Sequence, residues 1–369
     1  MQQNTNLPKI AIVYLQYYHS ESYIDDAVSA LKKISYPKDK LEFIIIDNPY
    51  PGKGVFSRYI DDAVMPFSAK EIPHVTYLPQ KENSGFAIGN NIGAQWAVDN
   101  GFDYVYFHNN DGFFATNAFE PLIEAFQKDE KIAAVQSLLL LHPETELLNS
   151  AGNSFHYLGF GFCDNYRNKI KDLDLPKIKE IDYASGAALM VRVDLIKKYG
   201  AWDDGFFMYH EDLEWSFRLR AAGYKVMLVT DSVFYHKYQF GRSIEKFFFM
   251  ERNRHAIMLM FFKIPTLLLL LPMGFVLEFG LWIFSIKNGY AKKRLEVYKY
   301  WLKWSNWKIW LKKRKKIQKL RVVSDRFLLK YSVSEILFQE KEMANPLLRY
   351  IGNPMMKAYH FVVKLLIWW

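Results

Sequence analysis

Residues 104–111 read YVYFHNND: Tyr104, Val105, Tyr106 and Phe107 run directly into His108, Asn109, Asn110 and Asp111. The first half suits a strand buried on both faces, and the second suits a turn or a ligand-facing loop. The same grammar occurs upstream. Residues 10–15 (IAIVYL) and 41–46 (LEFIII) are apolar runs, the second closing on Asp47, Asn48 and Pro49, and residues 74–78 make a further run. Between them lie segments of helical spacing, 20–34 with Ile24, Ala27, Val28 and Leu31 on one face, and 86–99. Strands alternating with helices predict an α/β fold built on a mostly parallel, doubly wound sheet. Such sheets bind ligands beyond the carboxyl ends of their strands. Asp47-Asn48 and Asn109-Asn110-Asp111 fall at that edge.

The composition of the 369-residue chain, half hydrophobic and 17% aromatic, excludes disorder and a collagen-like repeat. The single cysteine, Cys163, excludes a disulfide framework and a multi-cysteine metal site, and fits a reducing compartment. The first nine residues have no apolar stretch, so no secretory signal peptide is expected. The net charge of +9 conceals a split: residues 241–369 hold 25 basic and 8 acidic residues, a net of +17, and residues 1–240 carry −8. Seven of the ten tryptophans follow residue 280. An acidic body joined to a basic, Trp-rich tail points to different partners for the two halves, the tail facing nucleic acid or an anionic membrane.

Residues 264–277 carry no charge; Glu278 interrupts, and an apolar FGLWIFSI follows. Together these could span about 30 Å as helix. Pro265, Pro272 and Glu278 favour a re-entrant or interfacial hairpin at least as much, with a buried soluble helix as the plain alternative. Beyond come Lys292-Lys293-Arg294 and the run from Lys312 to Lys316, with Trp301, Trp304, Trp307 and Trp310 at three-residue steps. A basic helix with tryptophans along one side suits a headgroup layer; the alternative is a stripe packed on the domain. The co-occurrence of apolar run, tryptophans and basic clusters favours the membrane.

Four clusters could carry chemistry. Asp47, at a strand end, is a turn residue or an acceptor for a base N–H. Residues 83–93 (NSGFAIGNNIG) place Gly85, Gly89 and Gly93 four apart at a helix start, which suits either a close backbone approach to a ligand or a structural turn. That spacing matches neither the dinucleotide fingerprint nor a P-loop. Asn109, Asn110 and Asp111 offer oxygen ligands for a hard divalent cation, or a turn. Residues 206–215 (FFMYHEDLEW) set Glu211 and Asp212 among aromatics, where desolvation raises a carboxylate's proton affinity toward that of a useful base. The helix dipole alone accounts for Glu214. His236 is a loop residue or a ligand.

In order along the chain these clusters, with residues 185–190 (SGAALM), Arg218, Gly223 and His236, resemble family 2 glycosyltransferases, nearest their rhamnosyl- and galactofuranosyltransferase-like branch. The resemblance covers about residues 8–240. It implies a GT-A fold and an inverting transfer from a nucleotide-diphosphate sugar. Asp47 would pair with the pyrimidine, beside Leu15, Gln16 and Tyr18. Asn83, Gly85, Asn90, Asn109 and Asn110 would line the nucleotide sugar. Asp111, with His236 as a further ligand, would hold Mg²⁺ or Mn²⁺, and Asp212, next to Glu211, would be the base. The chain departs from the family at Asn109, which replaces the first Asp of Asp-x-Asp, and at Gln16-Tyr17-Tyr18-His19 and Pro49-Tyr50.

The expected protein has a catalytic GT-A domain at 1–245, apolar membrane-associating helices at 246–290 and a basic helical tail at 291–369. It uses a UDP- or dTDP-sugar and a lipid-linked or oligosaccharide acceptor, in surface-polysaccharide synthesis at the cytoplasmic face of a bacterial membrane. It sits there as a peripheral or monotopic protein, and nucleic acid is not an expected partner. A sugar nucleotidyltransferase would want a Gly-rich basic loop, and residues 14–22 contain no Gly, Lys or Arg. A non-catalytic membrane or nucleic-acid-binding protein is the rival from another class.

Overall fold

The computed structural model describes residues 7–17, 20–238, 247–336 and 346–369. Two compact units emerge: Met1–Gly152 with Asp164–Phe207 and Lys225–Tyr238, and Asn153–Cys163 with Met208–Tyr224 and Gln239–Trp369. The expected boundary near 245 is thus not a single cut, because the hairpin after residue 152 and the segment carrying Glu211 and Asp212 group with the C-terminal helices.

The first unit is a mixed α/β sheet. Its strands are β1 (Ile10–Gln16), β2 (Leu41–Asp47), β3 (His74–Pro79), β4 (Tyr104–Asn109), β5 (Gly112–Phe114), β6 (Ile132–Leu141) and β7 (Leu148–Ser150). The short hairpin β8 (Asn153–Phe155) and β9 (Gly161–Cys163) belongs to the second unit, and β10 (Ile178–Glu180), β11 (Ala188–Arg192) and β12 (Lys225–His236) return to the sheet. The order is β10-β12-β6-β11-β4-β1-β2-β3, with β5 paired to β12 and β7 to β6. All four strands and both helices expected in residues 10–107 are present. The parallel expectation holds for β4-β1-β2-β3 and for β6-β12. It fails at β11, which runs antiparallel between β4 and β6.

Both faces of the central strands are covered. Ile10, Ile12 and Tyr14 of β1 share a core with Ile24, Ala27 and Leu31 of α1 (Glu21–Lys33), and with Phe43, Ile45 and Tyr106. The opposite face of β1 meets the helix at Gly85–Asp99. A Cβ on Gly93 would lie 2.5 Å from a Val13 methyl, and one on Gly89 would lie 2.5 Å from Leu15. Gly85, at φ +80, would press on the Phe207 ring. The four-residue glycine spacing is thereby explained at 89 and 93: it lays the helix directly on β1.

The second unit is helical beyond its hairpin. The chain enters it through the helix Glu211–Ala221, and Phe247–Phe261, Ile264–Lys287, Ala291–Leu302, Trp304–Leu320 and Asn353–Leu366 follow. Ile264–Lys287 is one continuous helix of about 36 Å, not a hairpin; Pro265 sits in its first turn and Pro272 inside it. By length and composition it could cross a membrane. Glu278 does not interrupt it, because Arg254 and Arg294 pair with both carboxylate oxygens and Tyr298 donates to one at 2.5 Å. Glu251 completes the cluster, bonded by Arg254 Nη2 at 3.0 Å and Arg294 Nη1 at 3.2 Å. Burial would raise the Glu251 carboxyl, but Arg254, His255 and Arg294 outweigh it and hold it below the usual range.

The tryptophan stripe is corrected. The chain turns at Lys303, so Trp301 ends one helix while Trp304, Trp307 and Trp310 begin the next. Trp301, Trp307 and Trp310 pack on one another at the corner, with ring centroids 5.3 and 6.2 Å from Trp301. Trp307 Nε1 donates to the Trp301 carbonyl, and Trp310 Nε1 to the Tyr300 hydroxyl. Only Trp304 of the four is well exposed.

Two glycines test the packing account. Gly93→Ala is expected to destabilise by about 1–3 kcal/mol in urea denaturation, because Val13 is stiff and buried. Gly280→Ala, inside Ile264–Lys287 with open space around it, is expected to stabilise by up to about 1 kcal/mol. Equal effects at the two sites would contradict the close-approach reading.

Candidate active site

Strand register brings the expected binding edge together. In the β2-β1-β4 triplet, Gln16 lies opposite Asp47 and Leu15 opposite Asn109. The Asn48 N–H donates to the Gln16 carbonyl at 2.8 Å, continuing the ladder past the strand end. Asp47 itself is fully buried. Its Oδ2 accepts from the Phe56 N–H at 2.5 Å and from the Tyr77 hydroxyl at 2.7 Å. Burial and then Asp47 push the Tyr77 phenol well up, so it stays a donor. One oxygen of the expected base acceptor is therefore used to fasten the loop after β2, and neither partner was read from the sequence. Tyr18 lies outside the described residues.

The 83–93 segment makes both local and distant bonds. Asn83 Oδ1 accepts from the Gly85 N–H at 2.9 Å. Asn90 is buried, and its Nδ2 donates to the Phe86 carbonyl one turn back at 3.0 Å. Ser84 Oγ donates to Asn48 Oδ1 at 3.3 Å, linking the helix start to the end of β2. Asn91 exchanges two hydrogen bonds with the Trp202 backbone, at 2.8 and 2.9 Å. Asn91 stood in the sequence only as part of the 83–93 cluster, with no role of its own; the structure gives it a clamping role.

The third cluster is the most developed. Antiparallel pairing of β5 with β12 sets His236 opposite Gly112, the residue after Asp111. His236 Nε2 thereby comes 2.9 Å from Asp111 Oδ1. Asn109 Nδ2 donates to the same oxygen at 2.6 Å and lies 3.4 Å from Nε2. Behind the ring, His236 Nδ1 is 2.9 Å from Asn149 Oδ1. When Nδ1–H donates to Asn149, Nε2 turns its lone pair toward the carboxylate. A lone pair and a carboxylate oxygen facing at that distance call for a proton or a cation between them. A carboxylate and an imidazole oriented from behind fit a divalent cation that takes its remaining ligands from phosphate and water, with Asn109 as a hydrogen-bond donor to the carboxylate. Among the described residues, no three His, Cys, Asp or Glu side chains cluster closely enough to hold a metal alone. Asn149 escaped the sequence reading; the signal was a polar Asn149-Ser150 pair inside an apolar stretch. His108 belongs to the core instead. It packs between Tyr14, Phe114 and Phe234, and burial pushes its pKa down to about 4.

Glu211 and Asp212 lie in the second unit and open the helix Glu211–Ala221. The approach to them is strained: Phe207, Tyr209 and His210 have φ of +60, +62 and +64. Non-glycine residues at such angles concentrate at functional sites. His210 is half-buried, 3.3 Å from the Gly159 carbonyl, and desolvation pushes its pKa down to about 4. Glu211 is buried, and burial followed by the Asp212 charge raises its proton affinity well above the ordinary carboxyl value. Asp212 is half-exposed. Glu214, next on the helix, is buried and fully used by Arg218, at 3.1 and 2.7 Å.

The chain matches the sequence profile of glycosyl transferase family 2 over residues 12–200. A hexosyltransferase of low-salt glycan biosynthesis, Agl10 of Haloferax volcanii, is 22% identical over 234 residues, 59% of this chain and 64% of that protein. The crystal structure of GalNAc-T7 with UDP, GalNAc and Mn²⁺ superposes with a TM-score of 0.52 at 16% identity, covering 69% of this chain and 48% of that one. Staphylococcus aureus TarS 1–349 in complex with UDP gives 0.50 at 14% identity, covering 97% and 90%. This chain thus spans just under two thirds of the curated relative and about half of the GalNAc-T7 chain. At these identities the solved structures speak for the fold, a GT-A-like mixed α/β sheet. Since the matched residues make up more than half of the chain and include β1 to β4 and the Asn109–Asp111 cluster, the protein belongs to glycosyl transferase family 2.

Proposed function

We propose that the protein is an inverting glycosyltransferase of the rhamnosyl- and galactofuranosyltransferase-like branch, moving a sugar from a UDP- or dTDP-sugar to a hydroxyl of a lipid-linked saccharide in surface-polysaccharide synthesis. The observation that carries the reading is the Asp111–His236 pair at the carboxyl edge of a family 2 sheet, backed by Asn149. Asp111 and His236 would hold Mg²⁺ or Mn²⁺. Bound there, such a cation offsets the charge that builds on the departing diphosphate. Leu15, Gln16, Tyr18 and Asp47 would border the base, and Asn83, Gly85, Asn109 and Asn110 the rest of the donor, with Asn90 stiffening the helix behind them. Asp212 would take the proton of the acceptor hydroxyl as its oxygen attacks the anomeric carbon. The bond from that carbon to the diphosphate breaks in the same displacement, so the configuration inverts. Glu211, buried and with its proton affinity raised by burial and by the Asp212 charge, would leave the base role to its more exposed neighbour.

The second unit supports a membrane partner. Along the whole length of Ile264–Lys287, Thr266, Leu270, Met273, Leu277 and Ser285 face inward, and Leu268, Leu271, Phe275, Phe279, Ile283 and Ile286 face out. Asn353–Leu366 likewise buries Met356, His360 and Val363 and exposes Phe361, Val362, Leu365 and Leu366. The Tyr359 hydroxyl donates to the Leu269 carbonyl and ties the two helices together. Soluble surfaces rarely carry an apolar face of this extent. A crossing helix would drag Arg254 and Arg294, bound to Glu278 in its middle, into hydrocarbon at high cost. The reading is therefore monotopic: the outward faces lie in one leaflet, and exposed Lys263, Lys287 and Lys292 near the helix ends meet anionic headgroups at the cytoplasmic face.

With a panel of UDP-, dTDP- and GDP-hexoses and Mg²⁺ or Mn²⁺, the full chain is expected to bind and slowly hydrolyse a UDP- or dTDP-sugar; silence across the panel overturns the reading. Asp212→Asn should lower turnover at least about a hundredfold while donor binding stays near the parent value. Asp111→Ala should remove the metal-stimulated part of donor binding in calorimetry.

For the membrane, Phe275→Glu with Phe279→Glu is expected to weaken flotation with anionic vesicles by at least about tenfold. Undiminished flotation would place the lipid contact elsewhere.

A further inference from the structure

The helix Phe247–Phe261 carries Glu251, Arg252, Asn253 and Arg254 in succession, and all four are buried. Three of them explain one another. Glu251 and Arg254 belong to the ion cluster with Glu278 and Arg294, and the Arg252 guanidinium lies over the Phe249, Tyr300 and Trp310 rings. Asn253 is neutral and fully buried, and stands outside that cluster. An asparagine is a mediocre helix former, and its amide is costly to bury without partners. Its residue type therefore needs another reason.

The reason lies at the strained approach to the two carboxylates. Asn253 Nδ2 donates to the Met208 carbonyl at 2.9 Å and to the Tyr209 carbonyl at 2.6 Å. Its Oδ1 accepts from Arg252 Nε at 2.8 Å. The arginine thus fixes the orientation of the amide, since a flipped amide would set donor against donor. Positive φ is strained at a non-glycine residue, so a segment with Tyr209 and His210 at +62 and +64 needs outside support. Asn253 gives that support at the two carbonyls just ahead of His210, Glu211 and Asp212. The direction in which the chain enters the helix Glu211–Ala221, and with it the aim of the Asp212 carboxylate, follows from this brace.

We infer that Asn253 is a positioning residue for Asp212: its two N–H groups hold the 208–210 turn in the conformation that presents the base. The inference rests on the reading of Asp212 as base, and its test separates the two. Asn253→Asp is isosteric and replaces the donors with carboxylate oxygens; Asn253→Ser keeps one donor and is the milder change. Two readouts are taken on the full chain. The first is amide hydrogen exchange of peptides covering 207–213. The second is nucleotide release from the UDP-, dTDP- and GDP-hexose panel, resolved into kcat and donor KM. Exchange in that turn is expected to rise about tenfold or more in Asn253→Asp, as the loss of buried hydrogen bonds implies, with less change elsewhere in the helix Phe247–Phe261. Donor KM should stay within about twofold while kcat falls by up to about a hundredfold, with Asn253→Ser in between. A turn that stays protected in both variants overturns the brace. A loosened turn with kcat unchanged overturns the positioning role. A parent protein that turns over none of the donors overturns the base reading and the role built on it, while the exchange data still decide whether the brace exists.

Discussion

The close approach of the helix Gly85–Asp99 to β1 is the constraint on which the binding edge depends. Side chains at 89 and 93 would collide with Leu15 and Val13 of that strand. With hydrogen there instead, the helix lies flat on β1, and its first residues arrive beside the end of β2, where Ser84 reaches Asn48. Parallel register then carries Gln16, Asp47 and Asn109 to the same edge. The last part comes from the far end of the sheet's sequence: β12, paired with β5, delivers His236 to Asp111. The strand register and the close helix are backbone geometry, and the Ser84–Asn48 and His236–Asp111 contacts are made by the side chains that this geometry brings together.

The second unit answers a different problem, a large positive charge in a region rich in apolar side chains. Its cations divide largely by type. Four arginines are spent internally, Arg254 and Arg294 on two glutamates, Arg314 and Arg321 on carbonyls at the end of Phe247–Phe261, while Arg326 and Arg349 are exposed. Lysines such as Lys263, Lys287, Lys292, Lys312, Lys315 and Lys316 stay exposed. The planar guanidinium satisfies several buried acceptors at once, whereas the ammonium is strongly hydrated and favours the surface. The +17 of residues 241–369 thus overstates what a partner would meet.

The sequence made legible what depends on short-range pattern. Strands buried on both faces read as apolar runs, so β1 to β4 were found within a residue or two. The polar ends of β2 and β4 stood out for the same reason. What escaped depends on pairings distant in sequence. The antiparallel β11 looks like any other apolar run, and nothing local announces its direction. Asn149 matters only because β7 folds back behind His236. The tryptophans misled because three-residue spacing implies one face only if the helix continues, and it stops at Lys303. Glu278 looked like an interruption because its partners, Arg254 and Arg294, lie 24 and 16 residues away.

Why two adjacent carboxylates should open one helix follows from their unequal surroundings. A helix N-terminus favours negative charge, but two like charges side by side oppose each other, and burial penalises whichever is less solvated. Glu211 is the buried one, and it holds its proton more tightly folded than unfolded. Its contribution to folding is therefore fully present at low pH and is lost as pH rises through its folded pKa. The raised proton affinity of Glu211 eases the repulsion between the two carboxylates, and Asp212 is the one that keeps access to solvent. Asn253, two carbonyls upstream, then has one carboxylate to aim rather than two. On the proposed reading, the strained turn, the buried acid and the bracing amide act toward a single end: one solvent-accessible carboxylate, held in one direction, at the start of the helix.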